Sequence, residues 1–286
     1  MNWTPRREAF RAILAGSTCI YPASVFDPLS ARIAQDIGFE AGMFAGSIGS
    51  LVGLGAPDLI VLTLTEFAEQ ALRINRACVM PVVADADHGY GNALNVMRTV
   101  EELEIAGISS LTIEDTLLPR TYADGKTRPT SIEEGVGKMK AAVAARSDKS
   151  LVILARTGSI MMTGLDDTLA RIRAYEKCGV DGIFLAGVRT KAEIEAVHAT
   201  TKLPVMFGAL VPEIDDKDFL GAHGVRFALQ GHLPFMAAVE ATRATMQALR
   251  DGVAPKDIKG LPSDAFIKRV SRDDDYKKAT AAFLEP

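Results

Sequence analysis

Cysteine is scarce in this chain: three in 286 residues, Cys19, Cys78 and Cys178, with no CxxC pair. An odd, widely spaced set argues against a disulfide framework and fits a reducing compartment; each reads as a small core residue rather than a nucleophile. Basic charge is not in excess, with Lys+Arg 32 against Asp+Glu 36, a net charge of -4 and a pI near 5.7. That balance leaves no footprint for nucleic acid, and no Lys/Arg cluster marks a membrane surface. Long apolar runs are missing as well. The N-terminus carries Arg6, Arg7 and Glu8 before an amphipathic stretch, with no apolar signal core. The weakly charged stretch 41–57 is broken by five glycines and ends in Pro57, so it does not read as a spanning helix. A cytoplasmic protein is expected. No linker or composition shift divides the chain, so 1–286 reads as a single domain with 255–286 as a charged, partly helical tail.

What is there is a repeated phrase: a helix, a glycine stop, then a short apolar strand. It occurs at 36–44, 105–113, 177–185 and 222–230, with the stops at Gly38, Gly107, Gly179 and Gly224. Glycine just past a helix takes the left-handed conformation that other residues resist, which ends the helix and turns the chain. Further strands are expected at 19–23, 81–85, 151–156 and 204–208. The intervening helices are amphipathic, one through Ala93, Val96, Met97, Val100 and Leu103, another through Leu165, Leu169 and Ile172. Eight near-continuous apolar strands, each followed by a helix, imply a parallel sheet. They close most naturally into an α/β (β/α)8 TIM barrel, the open doubly wound sheet being the alternative.

A barrel of this kind carries its chemistry at the carboxyl ends of the strands, and the polar residues fall there. Met80-Pro-Val-Val-Ala-Asp-Ala-Asp-His-Gly-Tyr-Gly91 ends an apolar strand in Asp85 and Asp87, two residues apart and so on one face. Two converging carboxylates repel unless a cation sits by them, which predicts a divalent-metal site and an oxygen-rich, anionic substrate. Glu114, at the end of Thr112-Ile-Glu-Asp115, is expected near them; Asp58 reads either as another carboxylate of that shell or as a helix cap. Gly46 and Gly49 leave the amides after the second strand accessible, with Ser47 as a further donor; this is either an anion seat or a plain tight loop. Val152, Leu154 and Arg156 share a face, so Arg156 emerges at the top of the barrel core. It reads as a clamp on carboxylate or phosphate, as a structural partner of Glu114, or as both. Of the four histidines, His88 and His232 follow strands at the active end, as substrate contacts, as a proton shuttle at His88, or as structural histidines; His198 and His223 read as surface residues.

These pieces together resemble the isocitrate lyase and phosphoenolpyruvate mutase superfamily over roughly residues 10 to 255. The resemblance is carried by Ala23-Ser-Val-Phe-Asp-Pro-Leu-Ser30, Gly46-Ser-Ile-Gly-Ser50, Ala84-Asp-Ala-Asp-His-Gly-Tyr-Gly-Asn92, Thr112-Ile-Glu-Asp115 and Ala155-Arg-Thr157, in that order. It implies Mg²⁺ or Mn²⁺ as the metal, Asp85 as the direct protein ligand, and Asp58, Asp87 and Glu114 as holders of its waters. It also implies terminal helices packed across subunits in a homotetramer. The loop 115–126 carries no cysteine, so the general acid of the isocitrate and methylisocitrate lyases is missing. It has Pro119 and Arg120 but Tyr122 where the mutases and phosphonopyruvate hydrolases carry an asparagine, and Gly158-Ser159 after Arg156 matches no named branch.

Asp87-His-Gly-Tyr-Gly-Asn92, Leu117-Leu-Pro119 and Gln230-Gly-His232 look most like the oxaloacetate decarboxylase branch. The resemblance therefore implies a carboxy-lyase: metal-dependent decarboxylation of oxaloacetate to pyruvate and CO₂ through an enolate. Gly46, Ser47, Arg156 and His232 would hold the substrate, Arg156 would steady the enolate, and water, Tyr90 or His88 would protonate it. The rivals are C–C or C–P cleavage of another 2-oxo or 2-hydroxy acid, as by a dimethylmalate-type lyase or a phosphonopyruvate hydrolase, and a non-catalytic dicarboxylate sensor.

Overall fold

The four glycine stops all lie in the left-handed region, with φ of 99° at Gly38, 85° at Gly107, 82° at Gly179 and 82° at Gly224. Each releases the chain from a helix into a strand, which is why the phrase repeats as a structural unit. The computed structural model describes residues 1–120, 122 and 125–284. Its strands are β1 (Ala23–Ser24), β2 (Gly42–Ala45), β3 (Val82–Asp85), β4 (Ser110–Glu114), β5 (Val152–Thr157), β6 (Gly182–Leu185), β7 (Val205–Phe207) and β8 (Val225–Ala228). All are parallel and ordered β1 to β8 in one sheet. Ile20 bridges to Phe227: its N–H donates to the Arg226 carbonyl and its carbonyl accepts from Ala228 N–H, both at 3.0 Å. The sheet thereby curls round on itself as a (β/α)8 barrel.

The first strand departs from the expected 19–23. Pro22 has no N–H to give the ladder, so pairing splits into the Ile20 bridge on the β8 side and Ala23–Ser24 on the β2 side.

Inside the barrel, Met43, Val83, Val152, Leu154, Phe184, Met206 and Phe227 form one buried cluster. Phe10 and Leu14, from the N-terminal helix Thr4–Ala15, join it from below, and the Phe10 ring meets Phe227 edge-on at 6.1 Å. Arg7 pins that helix by donating to the carbonyls of Ile108 (3.0 Å) and Glu104 (2.6 Å). The lower end is sealed, so the barrel opens at the carboxyl ends of its strands.

The helix Leu165–Glu176 is turned relative to the expected Leu165, Leu169, Ile172 face: its buried residues are Thr168, Arg171, Ile172 and Tyr175. Two of these, Arg171 and Tyr175, are polar because they bond the buried Asp115, while Thr168 bonds Ser159 and the Gly164 carbonyl. The tail folds back rather than trailing. Arg272 makes a two-pronged pair with Asp36 at 2.7 Å on each prong, and Arg32 donates to the Val270 carbonyl at 3.1 Å. No helix among the described residues is long and apolar enough to cross a membrane.

Candidate active site

Strand register brings the charged residues to one mouth. Asp85 is level with Thr112 across β3 and β4, Glu114 with Arg156 across β4 and β5, and Arg156 with Phe184 across β5 and β6. In-register neighbours of a parallel sheet point the same way, so these side chains stand together above the apolar barrel core. The Arg156 guanidinium hydrogen-bonds Asp85 through Nη1 and places Nε 3.1 Å from Glu114 Oε2, an ion pair whose alignment leaves that N–H without a hydrogen-bond partner. Its carbon lies 5.6 Å from the centroid of the Phe184 ring. Arg156 is thus tied to Glu114, as the structural reading expects, and it lines the opening.

Asp85 is bonded on one side. Arg156 Nη1, Thr112 Oγ1 at 3.0 Å and the Asp87 amide at 3.3 Å all reach Oδ1. Among the described residues no donor is directed at Oδ2. Asp87 follows in a left-handed conformation, φ 48°, with its carboxylate packed on Gly46. A β-carbon at Gly46 would sit 2.5 Å from Asp87 Oδ2, so only glycine leaves room for this carboxylate.

The Gly46–Ser50 segment is neither tight loop nor open turn. It is the start of a nine-residue helix, Gly46–Leu54, whose N-terminus no side chain caps. Free first-turn amides and the positive end of the helix dipole still suit an anion, and half-buried Ser47 lines the cavity there.

Two cavities meet at Asp58 and Arg156. The larger, about 860 Å³, reaches Asp87, Glu114 and the loop bearing Leu118, Arg120 and Lys126; the smaller, about 350 Å³, reaches Ser47, Asp85, Arg189 and His232. Asp58 lies in the loop before the helix Leu64–Ala77, whose cap is Thr63, so Asp58 is not that cap. His232 bonds Ser24 across 2.7 Å through Nδ1, and burial lowers its imidazole, against the Asp85 charge. The loop after β4 is tied down by Asp115, fully buried and bonded by Tyr175 Oη at 2.6 Å and Arg171 Nη1 at 3.0 Å. Thr121, Ala123 and Asp124 of that loop lie outside the described residues.

His88 and Tyr90 do not come to the mouth. Neither is among the residues lining the two cavities, and His88 Nδ1 and the Tyr90 hydroxyl are buried without a partner. Of the expected proton sources, water, Tyr90 and His88, Tyr90 has a hydroxyl influenced most by burial, and it stands close enough to Asp87, Asp85 and Asp58 to feel their charges. Burial, then the Lys138 charge, pushes the His88 imidazole down to about 4. The stability that its neutral form contributes is present above the ordinary value of 6.5 and is lost as pH falls through about 4. His88 is therefore expected to show no NMR titration between about pH 5 and pH 8; a midpoint near 6.5 would place it in solvent.

Arg156 is the cation whose charge reaches the crowded acids of the mouth. Asp87 is held well above the carboxylate range by burial and by Asp85, with Arg156 opposing; Glu114 is raised by burial, and Asp58 by burial and Asp85. One guanidinium does not neutralise four carboxyl groups. Among the described residues no three His, Cys, Asp or Glu are grouped to hold a metal ion by themselves. Mg²⁺-like ions instead take one or two carboxylates and keep water and substrate oxygens for the rest. The all-oxygen donors, the open Asp85 Oδ2 and the raised Asp87 fit that kind of ion. Gly46→Ala is expected to displace Asp87 and weaken Mn²⁺ binding about tenfold or more in a calorimetric titration; unchanged affinity would remove Asp87 from the site.

Fold and mouth together define a (β/α)8 barrel whose open end is lined by carboxylates and arginines. The chain belongs to the phosphoenolpyruvate phosphomutase family, whose model matches residues 10–250. It is 53% identical over 284 residues to the oxaloacetate decarboxylase of Bradyrhizobium sp., covering 99% of both chains. Among solved structures it is similar to phosphonopyruvate hydrolase in complex with oxalate and Mg²⁺, with TM-score 0.86, 28% identity and coverage of 98% of this chain and 99% of that one. It is equally similar to oxaloacetate acetylhydrolase in complex with 3,3-difluorooxalacetate, with TM-score 0.86, 25% identity and coverage of 99% and 98%.

Sequence reasoning missed Ser24, which orients His232, and Arg189 in the smaller cavity. Ser24 carried a weak signal, the inward face at the end of β1; Arg189 carried none.

Proposed function

We propose that this protein decarboxylates oxaloacetate to pyruvate and CO₂, with Asp85 holding Mg²⁺, or Mn²⁺, and Asp87, Glu114 and Asp58 ordering the water around it. The observation that carries the reading is the one-sided bonding of Asp85, with three donors on Oδ1 and Oδ2 left to the mouth. The whole-length likeness to an oxaloacetate decarboxylase supports the choice of substrate. A divalent ion bound there supplies Lewis-acid polarisation of the substrate ketone.

The chain's own groups do the rest. The first-turn amides at Gly46 and the Ser47 hydroxyl receive the C1 carboxylate at a helix N-terminus. His232, held by Ser24, contacts the substrate within the same cavity. The C4 carboxylate points toward the larger cavity, where Leu59, Leu118, Met161 and Met162 offer an apolar wall to departing CO₂. As the C3–C4 bond breaks, its electron pair moves onto the C2 oxygen, and Arg156 steadies the enolate charge with donors already in place. Water returns the proton to C3.

Cleavage of phosphonopyruvate is the second reading, favoured by Arg120 and Lys126 in the wall of the larger cavity. A substrate panel decides between them. Oxaloacetate with Mg²⁺ is expected to yield pyruvate well above the metal-only rate, and phosphonopyruvate no phosphate; the reverse would overturn the assignment. Binding of oxalate without turnover of any substrate would mark a sensor.

The reading extends to a cytoplasmic homotetramer of chains that are each one domain. The helix Leu233–Arg250 has no buried residue and exposes Leu233, Met236, Val239, Met246 and Leu249, a stripe that further copies would cover. Light scattering is expected to give four times the mass of one chain.

A further inference from the structure

The turn that carries Asp87 is strained and has no regular ladder to hold it. Asp87 and Tyr90 are left-handed at φ 48° and 59°, with Gly89 at 77° between them. Three successive carbonyls in it are each taken by a different element. Asp87 O accepts from the Glu114 amide at 2.8 Å, His88 O from Lys138 Nζ at 2.9 Å, and Gly89 O from Thr99 Oγ1 at 3.0 Å. The first and third donors are neutral. The middle one is an ammonium group on the helix Ile132–Ala145, only 2% exposed.

Burying a full charge to serve a backbone carbonyl is costly where an uncharged donor would do. What the charge adds is a shorter, stronger and more directional bond. It acts on the residue between Asp87 and Gly89, so any swing of the turn must stretch it. The charges facing Lys138 are Glu134 on its own helix and Glu114 and Asp115 at the end of β4, so the ammonium is tied electrostatically to the strand that also bears a site carboxylate.

We propose that Lys138 is a positioning residue for the cation seat: by clamping the His88 carbonyl it holds the Asp85–Asp87 carboxylates in the arrangement that receives a divalent ion. The proposal rests on the reading of Asp85 as that seat. Lys138 touches neither substrate nor ion, so its effect is expected in cation affinity.

The test measures Mn²⁺ binding by the loss of the free-ion EPR signal, with the melting temperature of each protein recorded beside it. Lys138→Met, of similar length and without a donor, is expected to raise the Mn²⁺ dissociation constant about 10- to 100-fold. Asn75→Ala serves as the control. Asn75 is fully buried in the helix Leu64–Ala77, beside Arg6 of the N-terminal helix, at the sealed end of the barrel. It is expected to lose melting temperature without losing affinity. Wild-type affinity in Lys138→Met overturns the proposal, and so does a loss of affinity that merely follows melting temperature in both variants. Should the methionine variant not fold, Lys138→Gln, whose shorter side chain falls short of the His88 carbonyl, is read on the same scale with the same two outcomes. Wild-type protein that binds no Mn²⁺ sinks the cation seat itself, a result distinct from failure of the clamp.

Discussion

Asp85→Ala is expected to bring pyruvate formation from oxaloacetate down to the rate that free Mg²⁺ supports, a fall of about a thousandfold or more. The size follows from what is removed: a carboxylate whose three donors among the described residues all crowd one oxygen, leaving the other for an ion. Stability should move the opposite way in the absence of metal. Asp85 raises Asp87, Glu114 and Asp58, so deleting it relieves repulsion among the remaining acids. The pH signature checks this. Asp87 is raised in the folded chain, so its stabilising contribution is complete below the ordinary value of 3.8 and is lost as pH rises through its folded value. Metal-free wild-type protein should therefore soften as pH climbs above 3.8, and Mg²⁺ should reverse the loss. At a hundredfold excess over the dissociation constant the ion adds about 2.7 kcal/mol. The variant should show a flatter pH profile and no gain with Mg²⁺; retained Mg²⁺ stabilisation would place the ion elsewhere.

Arg156→Ala is expected to carry the second-largest effect, and on two scales. Activity should fall about 10²- to 10³-fold, the usual cost of removing a donor aimed at developing oxyanion charge. Stability should fall by about 3–5 kcal/mol, because Glu114 is left buried without its cation. That deficit should widen as pH rises, since Glu114 is raised already and ionises at greater cost without the guanidinium. Arg156→Lys separates the two roles. One ammonium cannot serve Asp85 and Glu114 together as the planar fork does, so most of the stability should return while most of the activity does not. Thermal melts beside steady-state kinetics read both; full activity in the lysine variant would mean that only the charge matters.

The barrel was legible in the sequence because its signals are local. A glycine just past a helix and a run of β-branched residues need no knowledge of distant partners, and all four glycine stops proved left-handed. Alternation along a strand was legible too: Val83 and Asp85 keep one face, as do Leu154 and Arg156; register sets Arg156 beside Glu114, and its guanidinium reaches across β4 to Asp85. What stayed hidden depends on tertiary contacts. Gly46–Ser50 reads as a turn because glycine is a poor helix former, yet it opens the helix Gly46–Leu54. The helix forms where Phe44, Leu62 and Phe67 crowd Gly49, whose β-carbon would meet the last two at 3.1 Å. The buried polar face at Arg171 and Tyr175 broke the amphipathic pattern because Asp115, sixty residues before Tyr175, needs both. His88 and Tyr90 stand in a motif that looks catalytic, yet neither lines the two cavities. Period-two reasoning stops where the backbone enters left-handed space.

The most direct test of the account is the anomalous map of a crystal grown with Mn²⁺ and oxalate. The account predicts one Mn²⁺ about 2.1 Å from Asp85 Oδ2, oxalate between the ion and the Ser47 end of the helix, and Arg156 facing that oxalate. Density for the ion at any other place, with Asp85 turned wholly onto Arg156, would contradict it.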